Sequence, residues 1–150
     1  MIKKPANWET ARRDAITRGG YLIEIDHAAE NKVLFTQLKA KGASASPAVE
    51  DGGGARYVWL GGSDSKQEGE FVWNRSSRRI PLTDQHWGRG AMGREPDNFM
   101  NQDGLAISLN NWPLGAPNGA GLGNAGQWND ISTANKIFYV IEFNTLIPTL

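Results

Sequence analysis

Glu95-Pro96-Asp97, Gln102-Asp103 and Trp128-Asn129-Asp130 are the three clusters on which the reading of this chain turns. They punctuate a glycine-rich stretch with little helical or strand periodicity. A stretch that long without regular structure is uncommon in a compact domain unless it is functional. Carboxylates and carboxamides that converge from such a loop are the ligands a hard divalent cation takes, calcium above all. A plainer reading stands beside this one. Pro-Asp and Asn-Asp pairs are ordinary turn formers, so the clusters also fit a polar loop with a turn proline and a capping aspartate.

Outward from these clusters the elements are short. Asn7 is placed to cap a helix whose apolar positions Trp8, Ala11, Ala15 and Ile16 share one face. Glu9 suits the positive end of that helix, and Gly19-Gly20 supplies the stop. Tyr21 to Ile25 reads as a strand. Asp26 is expected to cap a second helix, with Ala29, Val33, Leu34 and Leu38 facing inward and an end near Lys41-Gly42. Residues 42 to 55, rich in Ala, Ser, Gly and Pro, read as a flexible connection. Tyr57 to Gly61 and Glu70 to Trp73 look like strands joined by the polar turn Gly62 to Gly69; Leu105 to Leu109 and Phe138 to Phe143 are two more. This order predicts an α+β domain with two helices and antiparallel sheets. The long loop runs from about residue 81 to 127, and residues 114 to 126 within it are expected to be mobile with no core of their own. Trp59, Trp73 and Trp128 read as core. Trp112 either plugs the long loop or stacks on a sugar face, the plug being the favoured reading.

A chain of 150 residues fits one domain, residues 1 to 150, with a core of its own. Its 16 basic and 16 acidic residues cancel, which leaves no general field for nucleic acid or an anionic membrane. Without cysteine there are no disulfides, thiolate metal sites or cysteine nucleophiles. Met1 to Pro5 is not followed by an apolar run, so no signal peptide is read, and the apolar tail Ile137 to Ile141 is too short to span a bilayer. The expectation is either a cytoplasmic protein or one domain excised from a larger secreted chain. Arg75, Arg78, Arg79, Arg89 and Arg94 form a local basic bias, read as a solvated face, with recognition of an acidic glycan or protein as the minor alternative. His27 and His86 have no metal-ligand spacing. Glu68 and Glu70 invite comparison with a glycosidase pair but lack a cleft signal, and no nucleophile triad or phosphate-cradling motif is present. The chain reads as a binding protein, not an enzyme.

Taken in order, these pieces resemble the C-type lectin-like domain. The resemblance begins with Trp8, Ala11 and Ala15, then Gly19-Gly20-Tyr21-Leu22 and Glu30-Asn31. It continues through Val58-Trp59-Leu60-Gly61-Gly62, Glu68-Gly69 and Phe71-Val72-Trp73. Glu95-Pro96-Asp97 is similar to the family's Glu-Pro-Asn motif, and Trp128-Asn129-Asp130 matches its Trp-Asn-Asp motif; Tyr139 to Phe143 fits the last strand. Coverage runs from about residue 7 to 144, without the family's first strand and without the cysteines of its animal members, as in many bacterial ones.

The resemblance implies a double-looped fold whose long loop binds calcium and, in many members, sugar. Carried over residue by residue, Glu95, Asp97, Asn129 and Asp130 would be calcium ligands, with Pro96 in a cis peptide bond. Gln102 stands where many members have a glutamate ligand, and Asn98 and Asp103 would assist or support a second, weaker ion. Glu95, Asp97 and Asn129 would contact the sugar. Glu-Pro-Asp is a hybrid of the family's mannose-type and galactose-type loops. Its two carboxylates only accept hydrogen bonds when ionised, which leaves Asn129 as the main donor. The function so implied is a calcium-dependent carbohydrate-binding module of an extracellular bacterial surface adhesin, with a glycan or cell-surface glycoconjugate as partner. The alternative is a protein-binding or structural lectin-like domain in which calcium is purely structural or absent.

Overall fold

The computed structural model describes residues 1–97 and 101–144. Asn98, one of the expected ligands, lies outside the described residues. The first strand, β1 (Ile2–Ala6), precedes helix α1 (Trp8–Thr17). Its five residues correct the expectation that this strand is nearly absent. Its Ile-Lys-Lys-Pro-Ala sequence carries no strand pattern because it is an edge strand, pairing only with β9 (Ile137–Tyr139). Lysine and proline are what protected edges carry. The Asn7 side chain accepts from the Thr10 N–H at 2.8 Å, the cap read from the sequence. Trp8, Ala11 and Ala15 are buried, whereas Ile16 is 54% exposed. Gly19 ends the run at φ +87°, a left-handed conformation that glycine adopts without a Cβ penalty.

β2 (Tyr21–Leu22) leads into α2 (Ala28–Ala40). His27, not Asp26, occupies the N-cap position and makes no side-chain cap bond. Asp26 instead pairs with Arg78. The buried stripe is Asn31, Leu34 and Leu38, spaced three and four apart, which turns Val33 about 100° away into solvent at 56% exposure. Ala29 is exposed as well.

The main sheet runs β1-β9-β3-β7-β8, where β3 is Tyr57–Ser63, β7 is Gly104–Ser108 and β8 is Trp128–Ile131; β4 (Val72–Trp73) also pairs with β3. All pairs are antiparallel except β3 with β9. That one parallel pair departs from the all-antiparallel expectation. β10 (Ile141–Glu142) pairs with β2, and β5 (Arg89–Gly90) with β6 (Gly93–Arg94). β3 is buried along its whole length, and its side chains alternate between two cores. Tyr57 and Trp59 pack with α1, Ala106 and Ile137; Val58 and Leu60 pack with Leu34, Leu38, Trp73 and Trp128. Gly61 lies where a Cβ would stand 2.5 Å from the Leu22 carbonyl, so β3 passes the end of β2 only as glycine.

The long loop has a core after all. Trp112 is buried, its backbone N–H reaches the Gly123 carbonyl at 3.0 Å, and a Cβ on Gly123 or Gly88 would sit 2.1 or 2.3 Å from its ring. The glycines flanking it are the space the indole fills, not a sign of looseness. The favoured reading of Trp112 as the plug holds. The 42–55 connection is also tied down, by short 3-10 turns at Ala43–Ala45 and Glu50–Gly52 and by Ser46 Oγ donating to the Tyr57 carbonyl at 2.7 Å. Arg79 pairs with Glu70 at 3.0 Å, so with Arg78 already on Asp26 the mid-chain basic face is partly neutralised.

Candidate functional site

β8 is the free edge of the main sheet, and the long loop is laid along it: Gly88 N–H donates to the Trp128 carbonyl at 2.8 Å and Trp128 N–H to the His86 carbonyl at 2.7 Å. His86 also stacks on the Trp128 ring, with centroids 4.7 Å apart. This fastening brings residues 95 to 97 against 129 and 130. Glu95, Asp97 and Asp130 each place a carboxylate oxygen within 4.8 Å of the other two. The Glu95-Pro96 bond is cis, and the Asp97 N–H donates to Asp130 Oδ1 at 3.2 Å. Glu95, Gln102, Asn129 and Asp130 are all buried. With Asp97 and Trp112, the first three of these line a cleft of about 270 Å³.

Hydrogen bonding in the cleft is one-sided. Asn129 Nδ2 donates to the Tyr57 hydroxyl at 2.9 Å, and that hydroxyl donates to the Gly52 carbonyl at 2.8 Å. Gln102 Nε2 donates to the Asp51 carbonyl at 2.8 Å and to Asp51 Oδ2 at 3.0 Å. Glu95 Oε2, Gln102 Oε1 and Asn129 Oδ1 are buried with no hydrogen-bond partner among the described residues. Burial, then hydrogen bonding and charge from Asp130, then Asp97, push the Glu95 carboxyl well above the ordinary carboxylate range. Buried acceptors without donors and crowded carboxylates are both costly unless a positive charge sits among them. The donor set, all oxygen, suits calcium. Asn129, expected as the site's main donor, gives one of its two amide hydrogens to Tyr57.

Asp51 was not read from the sequence as part of this site. It accepts from Ser132 N–H at 2.8 Å and from Asn135 Nδ2 at 2.7 Å as well as from Gln102, which makes it the knot behind the cleft. It sits in the connection that composition marked as flexible, and no local pattern distinguishes it. Asp103 takes a different place from Gln102. Backbone alternation turns it to a second acidic group, where Asp64, Glu68 and Asp103 again hold oxygens within 4.8 Å of one another. Asp64 is 2% exposed, and one carboxylate oxygen of Asp64 and of Asp103 is buried without a hydrogen-bond partner among the described residues. Burial first, with Asp103 and Glu68 adding charge, raises the Asp64 carboxyl. The Asp64-x-x-x-Glu68 spacing in the turn after β3 was the available signal.

No protein-family model matches the sequence. It is 30% identical to human CD209 antigen over 112 residues, 75% of this chain and 24% of that protein. It is 28% identical to the alpha-N-acetylgalactosamine-specific lectin of Patiria pectinifera over 126 residues, 84% of this chain and 59% of that lectin. The chain therefore spans a minor part of the CD209 relative and just over half of the second. Among solved structures, the C-type carbohydrate-recognition domain of cow CD23, crystallised in the presence of a GlcNAc2Man3 oligosaccharide, superposes with a TM-score of 0.63 over 97% of this chain and 86% of that one, at 21% identity. The chain folds as a C-type lectin-like domain. Within that C-type lectin-like fold, the cleft is formed where the long loop meets the sheet edge. No helix among the described residues is long and apolar enough to cross a membrane.

Proposed function

We propose that this C-type lectin-like domain is a calcium-dependent carbohydrate-binding module. The carrying observation is the convergence of three buried acceptor oxygens, on Glu95, Gln102 and Asn129, beside the Glu95, Asp97 and Asp130 carboxylates. Those five residues would hold Ca²⁺. Bound there, calcium supplies positive charge and open coordination positions for two adjacent hydroxyls of a sugar. Glu95 and Asp97 accept the protons of those hydroxyls, while Asp130 fixes the backbone of Asp97. Asp64, Glu68 and Asp103 would take a second ion, at the root of β7.

The ligand is a glycan or cell-surface glycoconjugate, in keeping with the sugar specificity named for the Patiria pectinifera lectin and the oligosaccharide of the cow CD23 structure. Its work is binding, not catalysis, as one module of an extracellular adhesin, bacterial by the resemblance of its cysteine-free sequence. Shallow single-sugar sites gain useful strength from several copies.

A second reading, protein recognition with calcium purely structural, draws on one observation: Asn129 gives one of its two amide hydrogens to Tyr57. A glycan array probed in calcium and again in chelator separates the two. Glycan binding that disappears in chelator supports the lectin reading. A calcium-loaded chain that ignores every glycan while holding a protein partner supports the second and rejects the first.

A further inference from the structure

Two residues outside the long loop dictate which way round the amides of the cleft are held. Tyr57, in β3, is fully buried and packs edge-on against Trp112, ring centroids 5.8 Å apart. A phenol has one proton to give. Here it goes to the Gly52 carbonyl at 2.8 Å, so toward Asn129 the hydroxyl only accepts. Asn129 must therefore offer it Nδ2, at 2.9 Å, and its Oδ1 is left buried and without a hydrogen-bond partner among the described residues. Gln102 obeys the same logic. Both groups it meets at Asp51, a carbonyl and a carboxylate oxygen, are acceptors, which forces Nε2 toward them and leaves Oε1 unbonded. Asp51 is itself held by Ser132 and Asn135.

We propose that Tyr57 and Asp51 are positioning residues that present Asn129 and Gln102 to the cation oxygen-first. The inference rests on the calcium reading above. Both Gln102 amide hydrogens are taken by Asp51, and one of the two on Asn129 by Tyr57, so the oxygens are the ends left for the ion.

The test uses terbium(III) as the metal alone, sensitised by the tryptophan of the cleft, with luminescence lifetimes in light and heavy water counting coordinated waters. Loss of an outer partner that orients a metal ligand costs about 10- to 100-fold in affinity. Tyr57→Phe is therefore expected to bind at least about tenfold more weakly than the unmodified chain and to carry an extra water on the ion. Tyr57→Phe/Asn129→Asp is expected to recover most of the loss, since a carboxylate offers oxygen whichever way it turns. Unchanged affinity and water count in Tyr57→Phe overturns the proposal. So does a loss that Asn129→Asp does not rescue, which marks Tyr57 as merely structural. Should Tyr57→Phe fail to fold, the metal-free ¹⁵N-labelled wild-type chain reads the amides directly. Slow exchange of the Asn129 and Gln102 side-chain amide protons is expected, and fast exchange rejects the assignment. An unmodified chain that binds no terbium but shows the protected amides would fault the calcium reading and leave the amide orientation standing.

Discussion

In the proposed site Asp97 and Asn129 together set what a ligand meets, the first as a carboxylate, the second with one of its two amide hydrogens on Tyr57. Asp97→Asn restores one donor. A net hydrogen bond is worth about 0.5–1.5 kcal/mol, so glycan titration in calcium should show affinity raised roughly two- to tenfold, with a changed profile on the array. An identical profile would mean that Asp97 does not touch the sugar. Glu95 gives a pH signature. Its folded carboxyl lies above the ordinary 4.5, so between that value and its raised one the folded chain holds a proton that the unfolded chain has lost. Without metal, this stability is full at acid pH and is lost as pH rises. Melting temperature of the metal-free chain should fall between about pH 5 and about pH 10, and Glu95→Gln should flatten that fall. Calcium affinity should move the other way, rising with pH as the proton leaves. The grouping was legible: Glu95, Asp97 and Asp130 come together as the motifs imply. The orientation of Asn129 was not, because a side-chain amide reads the same in sequence whichever end faces the ion.

The elements show a similar division. α1 was legible from Asn7 and the Trp8, Ala11, Ala15 spacing, since a cap and a stripe are local facts. The true face of α2 was not, because Val33 and Leu34 are equally apolar and only the sheet decides between them. β1 went unread for the reason edge strands do: its lysines and proline serve against aggregation instead of toward a core. Residues 114 to 126 pack on Trp112 where composition suggests no core, because glycine is the mark of both looseness and close approach. Trp112→Ala removes the filler between Gly88 and Gly123, and should cost about 3–5 kcal/mol in denaturant unfolding. It should also abolish calcium binding, as the loop that carries Glu95 and Asp97 loses its anchor. A loss under about 1 kcal/mol would show that Trp112 fills no packed site.

Over the whole molecule, two cores on either side of β3 form a rigid base, and the cleft lies where the long loop closes on the β8 edge. The fold was legible because its motifs keep their order along the chain. Asp51 was not, since it enters the cleft from a connection some fifty residues away in sequence from Gln102, and single-sequence patterns see only neighbours. The central claim is that distant backbone segments meet at one cation, and the unfolded chain cannot hold that ion. Thermal unfolding in chelator and then in calcium tests it most directly. At about a hundredfold excess over the dissociation constant, linkage adds about 2.7 kcal/mol, which for a domain of this size raises the melting temperature by roughly 5–10 °C. That rise is the expected result, and superimposable melting curves with and without calcium would contradict the account.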